Sequence, residues 1–358
     1  MRGIDRVDSG GPVSRPEWID ALRRYSVELG FAKLGIAPAV DSSGFTDLVK
    51  WIDAGYSAEM DYFASRLDAY RHPDGVMPGT KSIIVLAYPY PADVSVATRP
   101  MHGRVARYAW SGVDYHDTIH DKLKRLRRLI ADSAPDVRTR GCVDTAPLME
   151  RELAELAGIG WRGKNTLLLN RELGSYFFLA CLLVDVIMPY DTHHDASYCG
   201  SCTACLDACP TDAFPAAGVL DASRCISYLT IEHRESIPTE LREGIGNWVF
   251  GCDICQEVCP WNRKPSRRSS TSVDDKPIEQ LALTSLFELD DESFRHAFRD
   301  SPLWRTRLRG IRRNAAIVLG NQRERSALSA LHHGAASDDP MVAEACRWAI
   351  DRILGLRP

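Results

Sequence analysis

The chain is 358 residues long, 45% hydrophobic and 26% charged, the proportions of an ordinary globular protein with room for two or three domains and their cores. Lys and Arg number 44 against 48 Asp and Glu, a formal charge of -4, so a generally basic nucleic-acid coat is excluded and any contact with nucleic acid must use a local patch. The longest apolar run, Phe177 to Val184, has 8 residues, far below the roughly 20 of a membrane-spanning helix; with no leader pattern or twin-arginine pair near the N-terminus, a cytoplasmic protein without a membrane partner is expected.

Pro16 opens a periodic stretch (Trp18, Leu22, Tyr25, Leu29) that Gly30 closes, the pattern of a helix. A short strand over 31–37 follows. Helical patterns at 45–54 and 115–131 then alternate with β-rich runs at 82–88, 105–110, 137–143 and 176–186. This alternation predicts an α/β (α+β) domain over 1–190. Within it, the polar loop Trp161-Arg-Gly-Lys164-Asn165 has the composition of a ligand-contacting loop.

From 191 to about 265 the periodicity fades into Asp, His, Cys, Thr and Pro, so something other than a hydrophobic core must hold this segment. A polar linker over 262–277 leads to a helical tail, 275–358, whose short helices at 312–320, 327–334 and 342–354 look like HEAT-type repeats. The asparagine of Asn314-Ala-Ala is read near the start of the first.

Eleven cysteines are many for a cytosolic chain, and eight lie between Cys199 and Cys259. Cys199, Cys202, Cys205 and Cys209-Pro210 have the spacing C-x-x-C-x-x-C-x-x-x-C-P, in which three thiolates bind one 4Fe-4S cluster and the fourth goes to its neighbour. Cys252, Cys255 and Cys259-Pro260 repeat the ending, and Cys225 supplies the missing thiolate. The reciprocal rule predicts two clusters, one on Cys199, Cys202, Cys205 and Cys259, the other on Cys209, Cys225, Cys252 and Cys255. A pair of zinc sites explains neither the third cysteine nor the prolines. Cys142, Cys181 and Cys346 sit in apolar runs and read as core. No dinucleotide fingerprint follows a strand and no P-loop is present, so something other than a nicotinamide or flavin dinucleotide on such a motif must accept the electrons.

Four stretches together carry a family resemblance: Val143-Asp144-Thr-Ala-Pro-Leu-Met-Glu-Arg151, Ala157-Gly-Ile-Gly-Trp-Arg-Gly-Lys164-Asn, Cys225-Ile-Ser-Tyr-Leu-Thr-Ile-Glu232 and Gly251-Cys-Asp-Ile-Cys-Gln-Glu-Val-Cys-Pro-Trp-Asn262. They resemble the signatures of epoxyqueuosine reductases, in register from about Trp18 to Asn262. The resemblance implies a corrin-binding catalytic domain, a ferredoxin-like double 4Fe-4S domain and a helical tail. It further implies cobalamin-dependent reduction of epoxyqueuosine to queuosine at the wobble position of tRNA, fed by an unidentified low-potential electron donor, in a protein read as a monomer. The near misses to a histidine-ligated corrin motif, Asp114-Tyr-His116 and Asp191-Thr-His193, lack its glycine, so the cobalt is expected to carry no protein histidine.

By the same resemblance Asp144 is the proton donor, its carboxyl expected to be raised by an apolar corrin face; the alternative is a cap for the helix predicted over 148–157. Glu150 is read as a surface or capping residue. Arg66, Lys164, Asn165, Ser227 and Asp253 are the candidate corrin contacts beside Asp144, and Tyr108 is the next candidate acid. Basic runs lie at 122–128, 263–268 and 305–313. The last, with Arg305, Arg307, Arg309, Arg312 and Arg313 and no acid, is the candidate grip on tRNA phosphates. A cobalamin-dependent reductive dehalogenase-like enzyme would usually carry an export signal and lack the tail. A non-catalytic ferredoxin-type carrier would leave about 190 residues of α/β sequence unexplained.

Overall fold

The computed structural model describes residues 18–91, 97–194, 196–263 and 278–356; Pro16, the stretch 264–277 and most of the basic run 263–268 lie outside them. The N-terminal elements are α1 (Trp18–Glu28), β1 (Lys33–Pro38), α2 (Phe45–Asp53), α3 (Tyr62–Ser65), β2 (Ser82–Pro89), β3 (His102–Val105), α4 (Tyr115–Ser133), β4 (Thr139–Cys142), α5 (Glu150–Leu156), β5 (Trp161–Arg162), β6 (Leu168–Leu169) and β7 (Phe177–Val184).

Four strands form one sheet in the order β1-β2-β7-β4, and all three pairings are antiparallel, with Lys33 opposite Ala87, Ser82 opposite Val184 and Cys142 opposite Cys181. The alternation of helix and strand therefore builds an α+β layer rather than parallel βαβ units. Alternate residues face opposite ways. Ile84, Leu86, Ala180 and Leu182 pack with Trp18 and Leu22 of α1 and Ile119, Leu123 and Leu126 of α4. Ile83, Val85, Cys181 and Leu183 pack with Leu148 and, on α5, Leu153 and Ala154. Covering both faces explains why β2 and β7 are nearly continuous apolar runs. At the edge, Gly35 lets β1 meet the end of α5, since a Cβ there would lie 2.0 Å from the Ala157 carbonyl oxygen.

The cysteine segment contributes α6 (Ala204–Asp207), α7 (Ile226–Ile231), α8 (Thr239–Ile245), β8 (Trp248–Phe250) and α9 (Ile254–Glu257); the tail contributes β9 (Gln280–Ala282), α10 (Asp291–Phe298), α11 (Arg307–Gln322), α12 (Leu328–Ala335) and α13 (Pro340–Leu354). A second sheet, β8-β3-β9, takes one strand from each of the three predicted segments, and one apolar core runs through Val105, Leu229, Val249, Leu286, Ile317 and Ala345. The segment that looked coreless therefore shares the core of the tail.

Two local expectations change. The run 105–110 leaves the strand after Val105 and turns through Arg107–Ala109, because the Ala106 amide is captured by the Phe250 carbonyl and the Arg107 amide by Asp253. Asn314 lies in the middle of α11, not near a helix start; fully buried, it donates to the carbonyls of Thr230 (2.8 Å) and Val249 (3.0 Å), stitching tail to cysteine segment.

Candidate active site and iron-sulfur segment

Two short helices, α6 and α9, carry the matching C-x-x-x-C-P motifs and pack together. Their thiols fall into two neighbourhoods. Burial pushes Cys205 and Cys259 upward, and each is pushed further by Cys199 and Cys202, as Cys205 is by Cys259. Burial likewise pushes up Cys225, Cys252 and Cys255, with Cys209 acting on Cys225, Cys225 on Cys252, and Cys225, Cys205 and Cys209 on Cys255, where the two neighbourhoods adjoin. Backbone N–H groups of Ser227 and Tyr228 point at Cys225, and that of Ala213 lies 3.4 Å from Cys209 Sγ, the donors that thiolates on a cluster use. This donor set fits two clusters.

Three of the expected corrin contacts serve the cysteine loops instead. Lys164 Nζ donates to the carbonyls of Gly200 (2.8 Å) and Cys202 (2.9 Å), supplying partners to a loop that has no ladder of its own. Asn165 is buried and its amide faces the Cys255 carbonyl at 3.4 Å. Buried Asp253 accepts from the Arg107 amide (2.8 Å) and guanidinium (3.2 Å), while Arg107 also holds Glu257 (2.8 Å). In this structure these polar groups are engaged by the cysteine loops and by Arg107. Arg66 and Ser227 remain at the surface of the site: Arg66 is exposed and donates to the Thr145 carbonyl (3.1 Å), and Ser227 is half-buried at the start of α7.

Asp144 sits just beyond β4 in the left-handed region, φ +57°, a conformation that Asp tolerates better than most residues and that is held here by its surroundings. Its amide donates to Glu150 Oε1 (3.1 Å), and its Oδ2 accepts from the Tyr115 hydroxyl (2.7 Å) and lies 3.6 Å from His116 Nε2. The side chain stays 64% exposed, so a substrate can reach it. Tyr115 is fixed between the rings of Phe178 on β7 and His116, each 4.2 Å away. Asp114 caps α4 through the His116 amide (3.0 Å), contacts His116 Nδ1 (2.9 Å) and pairs with Arg305 (3.0 Å).

These contacts decide the protonation states. Burial raises the Asp144 carboxyl, but hydrogen bonds from His116 and Tyr115 and the charges of His116 and Arg305 outweigh it and hold the group below its ordinary value. Burial lowers His116, yet Asp114 and Asp144 lift it to about 9. Glu150 is pushed up to about 8 by burial and by Asp144. The chain's own groups thus keep Asp144 a carboxylate and favour the proton on His116; the raised acid expected depends on an apolar corrin face, which is not among these groups. Asp144 is no helix cap either: α5 begins at Glu150, behind Met149. Glu150 is a half-buried partner of the Asp144 loop, not a surface residue.

The comparisons with known proteins converge on one family. A family model described as "Epoxyqueuosine reductase QueG, DUF1730" matches residues 71–145, and one described as "4Fe-4S double cluster binding domain" matches 198–262. The epoxyqueuosine reductase of Pseudomonas aeruginosa is 41% identical over 354 residues, covering 97% of each chain. The chain belongs to the epoxyqueuosine reductase family. The enzyme of Escherichia coli is 38% identical over 346 residues, 95% of this chain and 90% of that one. Among solved structures, an epoxyqueuosine reductase with a tRNA-Tyr epoxyqueuosine-modified stem loop superposes with a TM-score of 0.85 at 33% identity, covering 94% of this chain and 90% of that chain. The enzyme from Streptococcus thermophilus gives a TM-score of 0.85 at 29% identity, with coverages of 95% and 91%. As a member of that family the chain is an oxidoreductase with a double 4Fe-4S segment.

The arginine run of this reductase divides. Arg305 turns inward to Asp114; Arg312 donates to the carbonyls of Leu286 (3.1 Å), Phe287 (3.2 Å) and Leu289; buried Arg313 donates to those of Leu229 (2.6 Å), His233 (3.0 Å) and Glu235 (2.6 Å). A helix packed on most sides leaves these guanidinium groups inside, so they are not free for phosphates. Arg307, stacked over Trp304 at 4.8 Å, and Arg309, paired with Asp339 at 3.0 Å, are exposed. The sequence pointed to Asp114, Tyr115 and His116 as a near miss to a corrin motif and, with Tyr108, as a match to a motif of the family, but gave them no role in proton transfer, and it pointed to Arg305 in another role.

Proposed function

We propose that this chain reduces epoxyqueuosine to queuosine in tRNA, with cobalamin seated in the cleft beside Asp144. The activity rests on the family; the reading of the site rests on one observation, the exposed Asp144 carboxylate 3.6 Å from the His116 ring nitrogen and 2.7 Å from the Tyr115 hydroxyl. Converting the epoxide to the alkene consumes two electrons and two protons and releases the oxygen as water. When bound, a reduced corrin cobalt supplies the nucleophile that opens the ring, and clusters on the two thiol sets supply single electrons of low potential.

The chain's own part is to place the substrate and move protons. On this reading the surface beside Asp144 seats the large flat group. Half-buried Tyr108 lies between Asp144 and Asp253, which adjoins a cluster ligand, and Tyr62 is 46% exposed near Asp144 and Glu232. Arg66, Ser227 and Tyr108 are the side chains that would hold its rim and face. A proton passes from His116 Nε2 to Asp144 Oδ2 and from there to the leaving oxygen; Tyr115 fixes the carboxylate, and Glu150 holds the loop. A relative has been solved with its aspartate catalytic loop swung out of the active site, and the loop between β4 and α5 is the segment that would move here.

The domain roles follow: corrin and substrate chemistry in 1–190, clusters in 191–265, and a HEAT-like tail over 275–358 offering Arg307 and Arg309 to tRNA phosphates. The protein works as a cytoplasmic monomer fed by a separate low-potential donor; no helix of the described residues is long and apolar enough to cross a membrane.

Anaerobic reconstitution with iron, sulfide and cobalamin, followed by reaction with epoxyqueuosine-containing tRNA under low-potential reductant, tests this. Queuosine should form only with both cofactors present. Conversion without cobalamin, or none by the fully loaded protein, would overturn the reading.

A further inference from the structure

Arg305 lies in the short 3-10 turn Pro302–Thr306 between α10 and α11, 191 residues beyond the group it touches. Its Nη2 is 3.0 and 3.2 Å from the two oxygens of Asp114 and 2.6 Å from His116 Nδ1, with the guanidinium over the Tyr115 ring at 5.4 Å. The turn is anchored, since the Arg305 carbonyl accepts from Arg234 (2.9 Å) and the Asp114 amide donates to the Asp300 carbonyl (2.7 Å). At the other end of the ring, buried His116 Nε2 faces Asp144 Oδ2 at 3.6 Å.

We infer that Arg305 is a positioning residue which sets the proton affinity of His116 by sharing Asp114 with it. The inference rests on the reading that His116 and Asp144 supply the proton. Arg stays charged throughout the accessible pH range, so its hold on Asp114 weakens the hold of Asp114 on the imidazolium, and its own charge at Nδ1 adds repulsion. The groups facing His116 are Asp114 and His120 on α4, Asp144 beyond β4, Glu150 on α5 and Arg305 from the tail. Asp114 and Asp144 tighten the proton and Arg305 loosens it. With Arg305 in place the ring can protonate Asp144; without it the proton is held by two carboxylates. Readiness of the acid is thereby tied to the seating of the C-terminal segment.

The test is the pH profile of single-turnover conversion by the holoenzyme, with the His116 ring titration followed by NMR in cluster-loaded protein without tRNA. Arg305→Gln should move both the alkaline limb and the ring titration up by about one pH unit or more, the usual reach of a charge this close. Arg305→Lys keeps a charge without the planar fork and should move them less. If both variants are slower but limb and titration stay put, Arg305 is only structural and the inference fails. If either variant fails to load iron, the other decides by the same two readouts. His116→Gln separates the underlying reading: it should abolish the alkaline limb, and a limb that persists means that His116 is not the source of the proton, whatever Arg305 does.

Discussion

Glu152 on α5 gives the most calculable perturbation of the frame that carries Asp144. It is 6% exposed, and its carboxylate accepts from Ser42 Oγ (2.7 Å), Ser43 N (2.6 Å), Ser43 Oγ (2.9 Å) and Gly44 N (3.0 Å). Gly44 is the N-cap of α2 and has no side chain to cap with, so Glu152 reaches across to satisfy amides at that helix start. Glu152→Ala strands two backbone donors, at about 1.5–3 kcal/mol for each hydrogen bond to a charged group, while the two serines can turn to water. The expected loss is about 3–6 kcal/mol, local to the contact between α2 and α5. Because several cores share the chain, one melting temperature would blur this. Hydrogen exchange of the peptide spanning 43–53 should accelerate by about two orders of magnitude or more, since 1.4 kcal/mol is tenfold. Glu152→Gln keeps one acceptor and turns an NH2 toward the other donors, so it should lie above half of that effect. Unchanged exchange in Glu152→Ala would mean that α2 is held by other contacts and that the capping argument is wrong.

Burial of the ring lowers His116, but two carboxylates outweigh it and raise the group from 6.5 to about 9, so its contribution to stability is full below about pH 6.5 and fades as the pH climbs through 9. Denaturant titrations of His116→Gln should accordingly be flatter than wild type between those pH values; identical slopes would deny the charged pair. Arg313→Met should cripple folding by leaving three carbonyls that it serves unpaired, whereas Arg307→Glu with Arg309→Glu should leave iron content intact, weaken tRNA binding and flatten its salt dependence. Soluble, fully loaded Arg313→Met protein, or unaltered tRNA affinity in the double variant, would reverse those assignments. Cys259→Ser should damage the same cluster as Cys202→Ser, and Cys225→Ser the other, each lowering iron from about eight toward about four per chain; resonance spectra in which Cys259→Ser matches Cys225→Ser would break the partition.

What the sequence made legible was local or repeated. Eight cysteines at fixed spacings announce their cofactor without any tertiary information, and apolar periodicity located α1, α2, α4, β2 and β7. Strand direction was not legible, because β2 and β7 are covered on both faces and so read like strands of a parallel sheet. The turn after Val105 was hidden because its cause, the Phe250 carbonyl and Asp253, lies about 145 residues away. A run of arginines looks the same whether it faces solvent or carbonyls; only the packing of α11 shows that Arg312 and Arg313 point inward. Asp144 could be singled out only by likeness to a family motif. Its partners Tyr115, 29 residues away, and Arg305, joined to it through Asp114 and His116, are brought together by tertiary folding alone. The protonation pattern follows from those partners, and so was beyond reach of the sequence.

The central claim is that Asp144 passes the proton that releases the epoxide oxygen. Single-turnover conversion of epoxyqueuosine-containing tRNA by Asp144→Asn, loaded with iron, sulfide and cobalamin to wild-type content, measures it most directly. Asparagine is nearly isosteric, can still accept from Tyr115 and tolerates the left-handed backbone, so fold and cofactor content should be retained while the rate falls by about 10²–10⁴, the usual worth of a positioned acid. Conversion by Asp144→Asn within a few-fold of the wild-type rate would contradict the account and move the acid to another group of the cleft.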